Sequence, residues 1–258
     1  MKLKFSKYQG AGNDFIMVDN RNALYALSQK QIHQLCDRRF GIGADGFILL
    51  GPSDDSDFEM IYYNADGQVG SMCGNGGRCT VAFARDLNII KDVCNFMASD
   101  GIHKATCLED KLVSLKMTDV GSLNFENEAW VLDTGSPHLV CFKDDITQID
   151  VTKEGASLRN APAYVVEGIN VNFVSVKDGE LSLRTYERGV EDETLACGTG
   201  ATASAIAAYE AGLTVSDCVV VHVLGGQLEV KFNKSHSEYQ DIYLKGPAEF
   251  VFEGEVDV

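Results

Sequence analysis

Two short stretches, MCGNGGRC at Met72–Cys79 and ACGTGA at Ala196–Ala201, each set a cysteine directly ahead of a glycine-rich turn that leads into an alanine-containing run. If a helix starts at each turn, its first N–H groups have no partner inside the helix, and its aligned peptides place partial positive charge there. A thiol in that position ionises more readily than a free cysteine, whose pKa is about 8.5. Cys73 and Cys197 are therefore candidates for thiolate chemistry. The amides of Gly74, Asn75 and Gly76, and those of Gly198, Thr199 and Gly200, can hold a carboxylate or a phosphate. Neither stretch has the G-x-x-x-x-G-K-[ST] or G-x-G-x-x-G pattern, which disfavours a nucleotide. Were the two helix starts to face each other across a cleft, one sulfur could take an α proton as thiolate while the other, as thiol, delivered one to the opposite face. The centre would invert. The two amide sets would stabilise the charge moving onto the carboxylate. A plainer reading also fits: small buried cysteines in tight turns, with glycines present for backbone conformation.

Other polar residues carry similar double readings. Asn64 in YNADG can bind a ligand through its carboxamide or close an Asx turn. In YERG, Glu187 could receive an ammonium and Arg188 clamp a carboxylate, or the two could be a surface pair. His138 in GSPH could be a site group or an ordinary turn histidine. His33, His103, His222 and His236 have no ligand-spaced partners, and there is no CxxC, so no metal site is expected. No lysine sits in a pyridoxal-phosphate motif, so no cofactor is expected either.

The elements that position these groups repeat. The opening KLKFSKYQGAGNDFIMVDN reads as strand, glycine turn and strand, and LSQKQIHQLCDRRFG as a short helix from Ser28 to Gly41. FILLG and FEMIYYNADG read as strands, and GNGGR then opens a helix through TVAFARDLNII. In the second half INVNFVSVKDGELSLRTYERG gives strand, Asp-Gly turn and strand, and ACGTGATASAIAAYEAGL a glycine-led helix. Asn13-Asp14-Phe15 is echoed by Asn172-Phe173 beside Asn170. These parallels predict two related halves. Ala201, Ala203, Ala205, Ala207 and Ala208 make a slim helix with no charged face, suited to burial inside a strongly curved sheet. The boundary is placed at DVGSLNFENEA: residues 1–119 form the first domain, completed by 246–258, and 120–245 the second.

Composition narrows the class. With 258 residues, 45% of them hydrophobic, the chain can bury two cores. A formal net charge of −16 disfavours nucleic acid and anionic membranes as partners. No apolar run is long enough for a membrane span or a secretory signal, so a cytosolic address is expected. Of the eight cysteines, Cys36, Cys94, Cys107, Cys141 and Cys218 are expected to be buried structural residues.

Taken in order, GAGNDF, GIGADG, NADG, CGNGGRC, GSPH, INVNF, YERG with DET, and ACGTGA resemble the diaminopimelate epimerase family over essentially the whole chain. The resemblance implies an α+β fold of two similar domains related by pseudo-two-fold symmetry, each a curved antiparallel sheet or barrel around a central helix. It implies a cytoplasmic homodimer that interconverts LL- and meso-2,6-diaminopimelate without pyridoxal phosphate, in lysine and peptidoglycan precursor biosynthesis. By resemblance Cys73 and Cys197 are the acid-base pair, and Gly74, Asn75, Gly198 and Thr199 hold the reacting carboxylate. Asn13, Asn64, Asn170, Glu187 and Arg188 match substrate contacts, and His138 matches a residue near the reacting centre. The sequence departs from the pattern at Ser136, where many members have asparagine, and at Gly46, where some have glutamine. VEDET adds acid after YERG. The competing readings are a proline-racemase-like racemase or epimerase, which Arg188 and the asparagines disfavour, and an amino-acid-binding protein without catalysis.

Overall fold

The structure, a computed structural model, describes residues 2–258. The chain divides into two compact units, Met1–Leu115 with Gly246–Val258, and Lys116–Lys245.

In the first unit the strands are β1 (Lys2–Gly10), β2 (Asn13–Asp19), β3 (Gly46–Gly51), β4 (Phe58–Asn64), β5 (Val93–Ala98), β6 (Gly101–Cys107) and β7 (Leu112–Lys116). β1 also pairs antiparallel with the last strand of the chain, β17 (Glu249–Asp257). Along the sheet, β1-β2 is antiparallel, β2-β3 parallel, β3-β4 antiparallel, β4-β5 parallel, and β5-β6 and β6-β7 antiparallel. Helix α2 (Gly74–Asp86) packs against β1, β2, β3, β4, β6 and β17. A sheet that touches one helix along so much of its width must curve round it, and α2 is buried from Gly74 to Ala84. The other face of the sheet is covered by α1 (Gln29–Cys36), where Ile32, Leu35 and Cys36 join Leu3, Phe5, Ile16, Val18, Phe47 and Leu49.

The second unit repeats this plan. Its strands are β8 (Asn124–Glu126), β9 (Ala129–Asp133), β10 (Pro137–Phe142), β11 (Asn170–Lys177), β12 (Glu180–Glu187), β13 (Asp192–Thr194), β14 (Cys218–Val223), β15 (Gly226–Ser235) and β16 (Glu238–Pro247). The series β9-β10-β11-β12-β14-β15-β16 runs antiparallel, parallel, antiparallel, parallel, antiparallel, antiparallel, as in the first unit. β8 pairs antiparallel with β9 as β17 does with β1. Helix α4 (Gly198–Glu210) occupies the place of α2, packed against β9, β10, β11, β12, β14 and β15. Ala201, Ala203, Ala205, Ala207 and Ala208 are fully buried in it. Helix α3 (Val151–Arg159) covers the outer face through Val151, which meets Leu139, Cys141, Val171, Phe173 and Tyr186. The fold is α+β with two similar domains, and its sheets are mixed.

Several local expectations change. α1 is capped by Ser28 and Gln31 in a capping box but stops at Cys36, with Asp37 extended. The carbonyls of Leu35 and Cys36 instead accept from Ile42, Gly43 and Ala44. α2 begins at Gly74 and ends at Asp86, so the glycines belong to the helix while Asn88, at φ 58°, and Ile89 and Ile90 beyond it do not. α3 carries no strong apolar period and was not foreseen. The echo of Asn13 by Asn170 and Asn172 is also displaced: by topology β2 corresponds to β10, and β11 to β3. Cys218 is exposed rather than buried, at the start of β14. At the Asp178-Gly179 turn both residues have positive φ, 53° and 84°, as a type I′ hairpin requires. Among the described residues no helix is long and apolar enough to cross a membrane.

Candidate active site

Both cysteines are helix N-caps. Cys73 is extended (φ −111°, ψ 119°) ahead of α2, and its sulfur accepts from the Gly76 N–H at 3.5 Å. Cys197 repeats this ahead of α4 (φ −119°, ψ 111°), accepting from Gly200 N–H at 3.4 Å. Sulfur in this way takes the role that a serine or aspartate oxygen usually takes. The Gly76 and Gly200 amides are thereby engaged by the cysteines, contrary to their expected use for a ligand anion. The N–H groups at the first two helical positions, Gly74 with Asn75 and Gly198 with Thr199, have no acceptor within their helices. Glycine is required at 200, because a Cβ there would lie 2.5 Å from Asn172 Oδ1.

In the first unit Asn13, at the start of β2, donates through Nδ2 to Asp45 at 2.8 Å, which fixes its carboxamide. Its Oδ1 then faces Cys73 Sγ (3.8 Å) and accepts from Asn75 Nδ2 (3.2 Å). Arg38 bridges Asp14 and Asp45, and Lys7 also pairs with Asp14. Arg38 and Lys7 hold the Asp14 carboxyl well below the usual carboxylate range, against the opposing effect of its burial. Gly46 pairs directly with Asn64 across β3 and β4. A Cβ on Gly46 would lie 2.4 Å from the Tyr62 ring, so that ring, rather than water, fills the space beside the glycine.

In the second unit Ser136, Asn170 and Arg188 form one cluster. Asn170 Nδ2 donates to Ser136 Oγ at 2.8 Å, its Oδ1 accepts from the Arg188 backbone N–H at 2.9 Å, and Arg188 Nη2 reaches Ser136 Oγ at 3.4 Å. Glu187 accepts from Thr194 Oγ1 at 2.9 Å. His138 is fully buried. Its Nδ1 accepts from Asn172 Nδ2 at 3.0 Å, which leaves the proton on Nε2. That Nε2 is the one buried side-chain polar atom among the described residues with no hydrogen-bond partner. Burial, with the nearby Arg188 charge, pushes the His138 pKa down to about 3, so the ring is neutral. The acids of VEDET are tied up elsewhere: Glu191 with Arg159, Asp192 with Thr152, Glu193 with Arg184.

The structure thus gathers Cys73, Asn75 and Asn13 in one unit and Ser136, Asn170 and Arg188 in the other, with Gly46 beside Asn64 on neighbouring strands. Asn172 and Thr185 were missed as supports of His138; Thr185 Oγ1 donates to Asn172 Oδ1 at 3.0 Å. The available signal was the i, i+2 pair Asn170 and Asn172 at the start of β11, alternating with Val171 and Phe173, which places both on the α4 face. Arg78 was missed as well. The remaining histidines have ordinary partners: His33 the Ala65 carbonyl, His103 Asp100, His222 Glu180 and His236 the Ser235 hydroxyl.

The diaminopimelate epimerase family model matches residues 5–123 and 130–251. The chain belongs to the diaminopimelate epimerase family. It is 53% identical to a diaminopimelate epimerase of Flavobacterium psychrophilum, covering 97% of this chain and 99% of that protein. It is 43% identical to one of Chlorobaculum tepidum, covering 96% and 98%. Among solved structures, a phenazine biosynthesis protein of the PhzF family from Bacillus anthracis superposes with TM-score 0.75 at 15% identity, with both chains fully covered. A hydroxyproline epimerase from Agrobacterium vitis gives TM-score 0.71 at 14% identity, covering 99% of this chain and 92% of that one. These two likenesses share the diaminopimelate epimerase fold, at identities too low to speak to substrate.

Proposed function

We propose that this protein is a pyridoxal-phosphate-independent epimerase that interconverts LL- and meso-2,6-diaminopimelate, with Cys73 and Cys197 as opposed acid and base. The observation that carries the reading is the duplicated cap: each cysteine occupies the same position ahead of the same helix in two units of the same topology. A sulfur that already accepts an N–H is adapted to carry negative charge, which is what a base in its working form must do. In the reaction, one sulfur takes the α proton as thiolate. The α carbon becomes planar, and negative charge moves onto its carboxylate, held by the amides of Gly74, Asn75, Gly198 and Thr199. The other sulfur then donates its proton to the opposite face, and the roles exchange for the reverse reaction.

Asn13, Asn64, Asn170, Glu187 and Arg188 complete the substrate shell in this reading. Glu187, held by Thr194, takes the α ammonium. Arg188, presented with Ser136 and Asn170, takes the distal carboxylate, which favours a substrate with a second charged end over proline. The His138 Nε2–H is a donor that acquires its acceptor when an anionic ligand or thiolate reaches it. The working form is a cytoplasmic homodimer in lysine and peptidoglycan precursor synthesis. Proton NMR of LL-diaminopimelate in deuterated water, with chiral separation of products, tests the assignment. Formation of the meso isomer by reduced protein, lost in the Cys73→Ala, Cys197→Ala double variant, is expected; no meso isomer from folded, reduced protein would overturn it.

A further inference from the structure

Arg78 lies in α2, just over one turn beyond Cys73, and is the bulkiest fully buried side chain among the described residues. Its guanidinium folds back toward the helix start and donates to the Gly74 carbonyl (3.3 Å), to Asn75 Oδ1 (2.9 Å) and to the Pro247 carbonyl (3.4 Å). All three acceptors are neutral. Burying a cation without a counter-charge is costly, yet a guanidinium does not give up its proton in a protein. The ionisable groups whose charge acts on it are Cys79 and Cys73. Cys79 is fully buried, and burial pushes its thiol up to about 12, so it stays neutral. That leaves Cys73, which directly precedes Gly74 and Asn75, the residues that supply two of the three acceptors. The equivalent position in α4 is Thr202, an uncharged residue whose hydroxyl donates to the Gly198 carbonyl at 3.0 Å.

We propose that Arg78 is a positioning residue that gives the Cys73 half of the site a fixed positive charge, so that Cys73 rests as thiolate and Cys197 as thiol. The proposal deepens the two-base reading and rests on it for its catalytic meaning. The Cys73 proton goes to solvent in the resting protein, and the enzyme holds one base and one acid before substrate arrives. The contact with Asn13 Oδ1, 3.8 Å from the sulfur, opposes this and favours the protonated thiol. At that length it is a weak contact, and the same oxygen already accepts from Asn75. The other charged groups around α2 are neutralised or distant. Asp14 on β2 is paired with Lys7 of β1 and with Arg38, and Asp45 with Arg38. Asp86, at the far end of α2, accepts from Tyr8 of β1, beside Arg85. β3 brings no titratable side chain; β4 brings Glu59, Tyr62 and Tyr63; β6 brings Cys107, whose thiol burial pushes up, His103 paired with Asp100, and exposed Lys104; β17 brings Glu249, which pairs with Lys111, Glu255, which pairs with Lys2 and Lys4 of β1, and exposed Glu253 and Asp257.

The test is the pH dependence of iodoacetamide alkylation of the reduced full-length protein, read separately at Cys73 and Cys197 by peptide mass spectrometry. The midpoint at Cys73 is expected at least about one pH unit below that at Cys197, as for a thiol beside a cation. Arg78→Met should raise the Cys73 midpoint by about one to three units and leave that of Cys197 in place, while Arg78→Lys should restore much of the shift. Equal midpoints in the unaltered protein would overturn the proposal even if Arg78→Met failed to fold. So would an unmoved Cys73 midpoint in folded Arg78→Met. Because alkylation does not require turnover, a low, Arg78-dependent midpoint in a protein that does not act on diaminopimelate would reject the substrate assignment alone.

Discussion

At the scale of single residues, the proposed chemistry rests on two sulfurs, and the poise of the site on their neighbours. Replacing either Cys73 or Cys197 by alanine should lower kcat by about 10²–10⁴-fold, the contribution expected of one positioned acid or base, with the circular dichroism spectrum unchanged. His138 makes a separate prediction. Its folded pKa, about 3, lies below the ordinary histidine value of about 6.5, so between these values the unfolded chain binds the extra proton. Stability should therefore fall as the pH drops from about 6.5, before Asp14 and its partners begin to fail below about pH 4. Urea unfolding of the protein and of His138→Gln across pH 4–7 checks this. The variant should show a flatter profile over that window. The cysteines were legible in the sequence because their type and glycine context are unusual. Arg78 was not, since a lone arginine in a helix reads as surface until the sheet closes over it.

At the scale of elements, the glycines are spacing devices. Gly46 sits against the Tyr62 ring, so Gly46→Gln should overpack β3 and β4 and cost about 1–3 kcal/mol in chemical denaturation. Gly200→Ala drives a methyl into Asn172, the residue that orients His138, and should reduce activity more than stability. A kcat effect below twofold would show that the Asn172 contact is dispensable. Glycine-led starts and alanine content made α2 and α4 legible in outline, whereas their ends were not, because Asn88 closes α2 through a positive φ that the apolar pattern does not encode. α3 was invisible for a related reason. It covers the sheet with little more than Val151 deeply buried, too sparse a stripe to read.

At the scale of the whole molecule, two copies of one topology differ in where the eighth strand comes from. The second unit takes it from an adjacent hairpin, β8 with β9, and the first from the chain's last strand, β17, which pairs with β1 from Lys2 to Gln9. Deleting 246–258 should accordingly expose the β1 and β2 amides to hydrogen exchange while β11 and β12 stay protected; uniform deprotection would contradict the independence of the two units. Duplication was legible from repeated motifs, but the register of the repeat was misjudged. Asparagine-phenylalanine pairs recur on β2 and β11, while the strand pairings match β2 with β10.

The measurement that tests the central claim most directly is the partition of solvent deuterium at early conversion of LL-diaminopimelate in deuterated water. If one sulfur removes the proton and the other supplies its replacement, the meso product carries deuterium at the inverted carbon while the recovered LL substrate remains unlabelled. Deuterium appearing in recovered substrate as fast as in product would mean that a single group serves both faces, and would contradict the account.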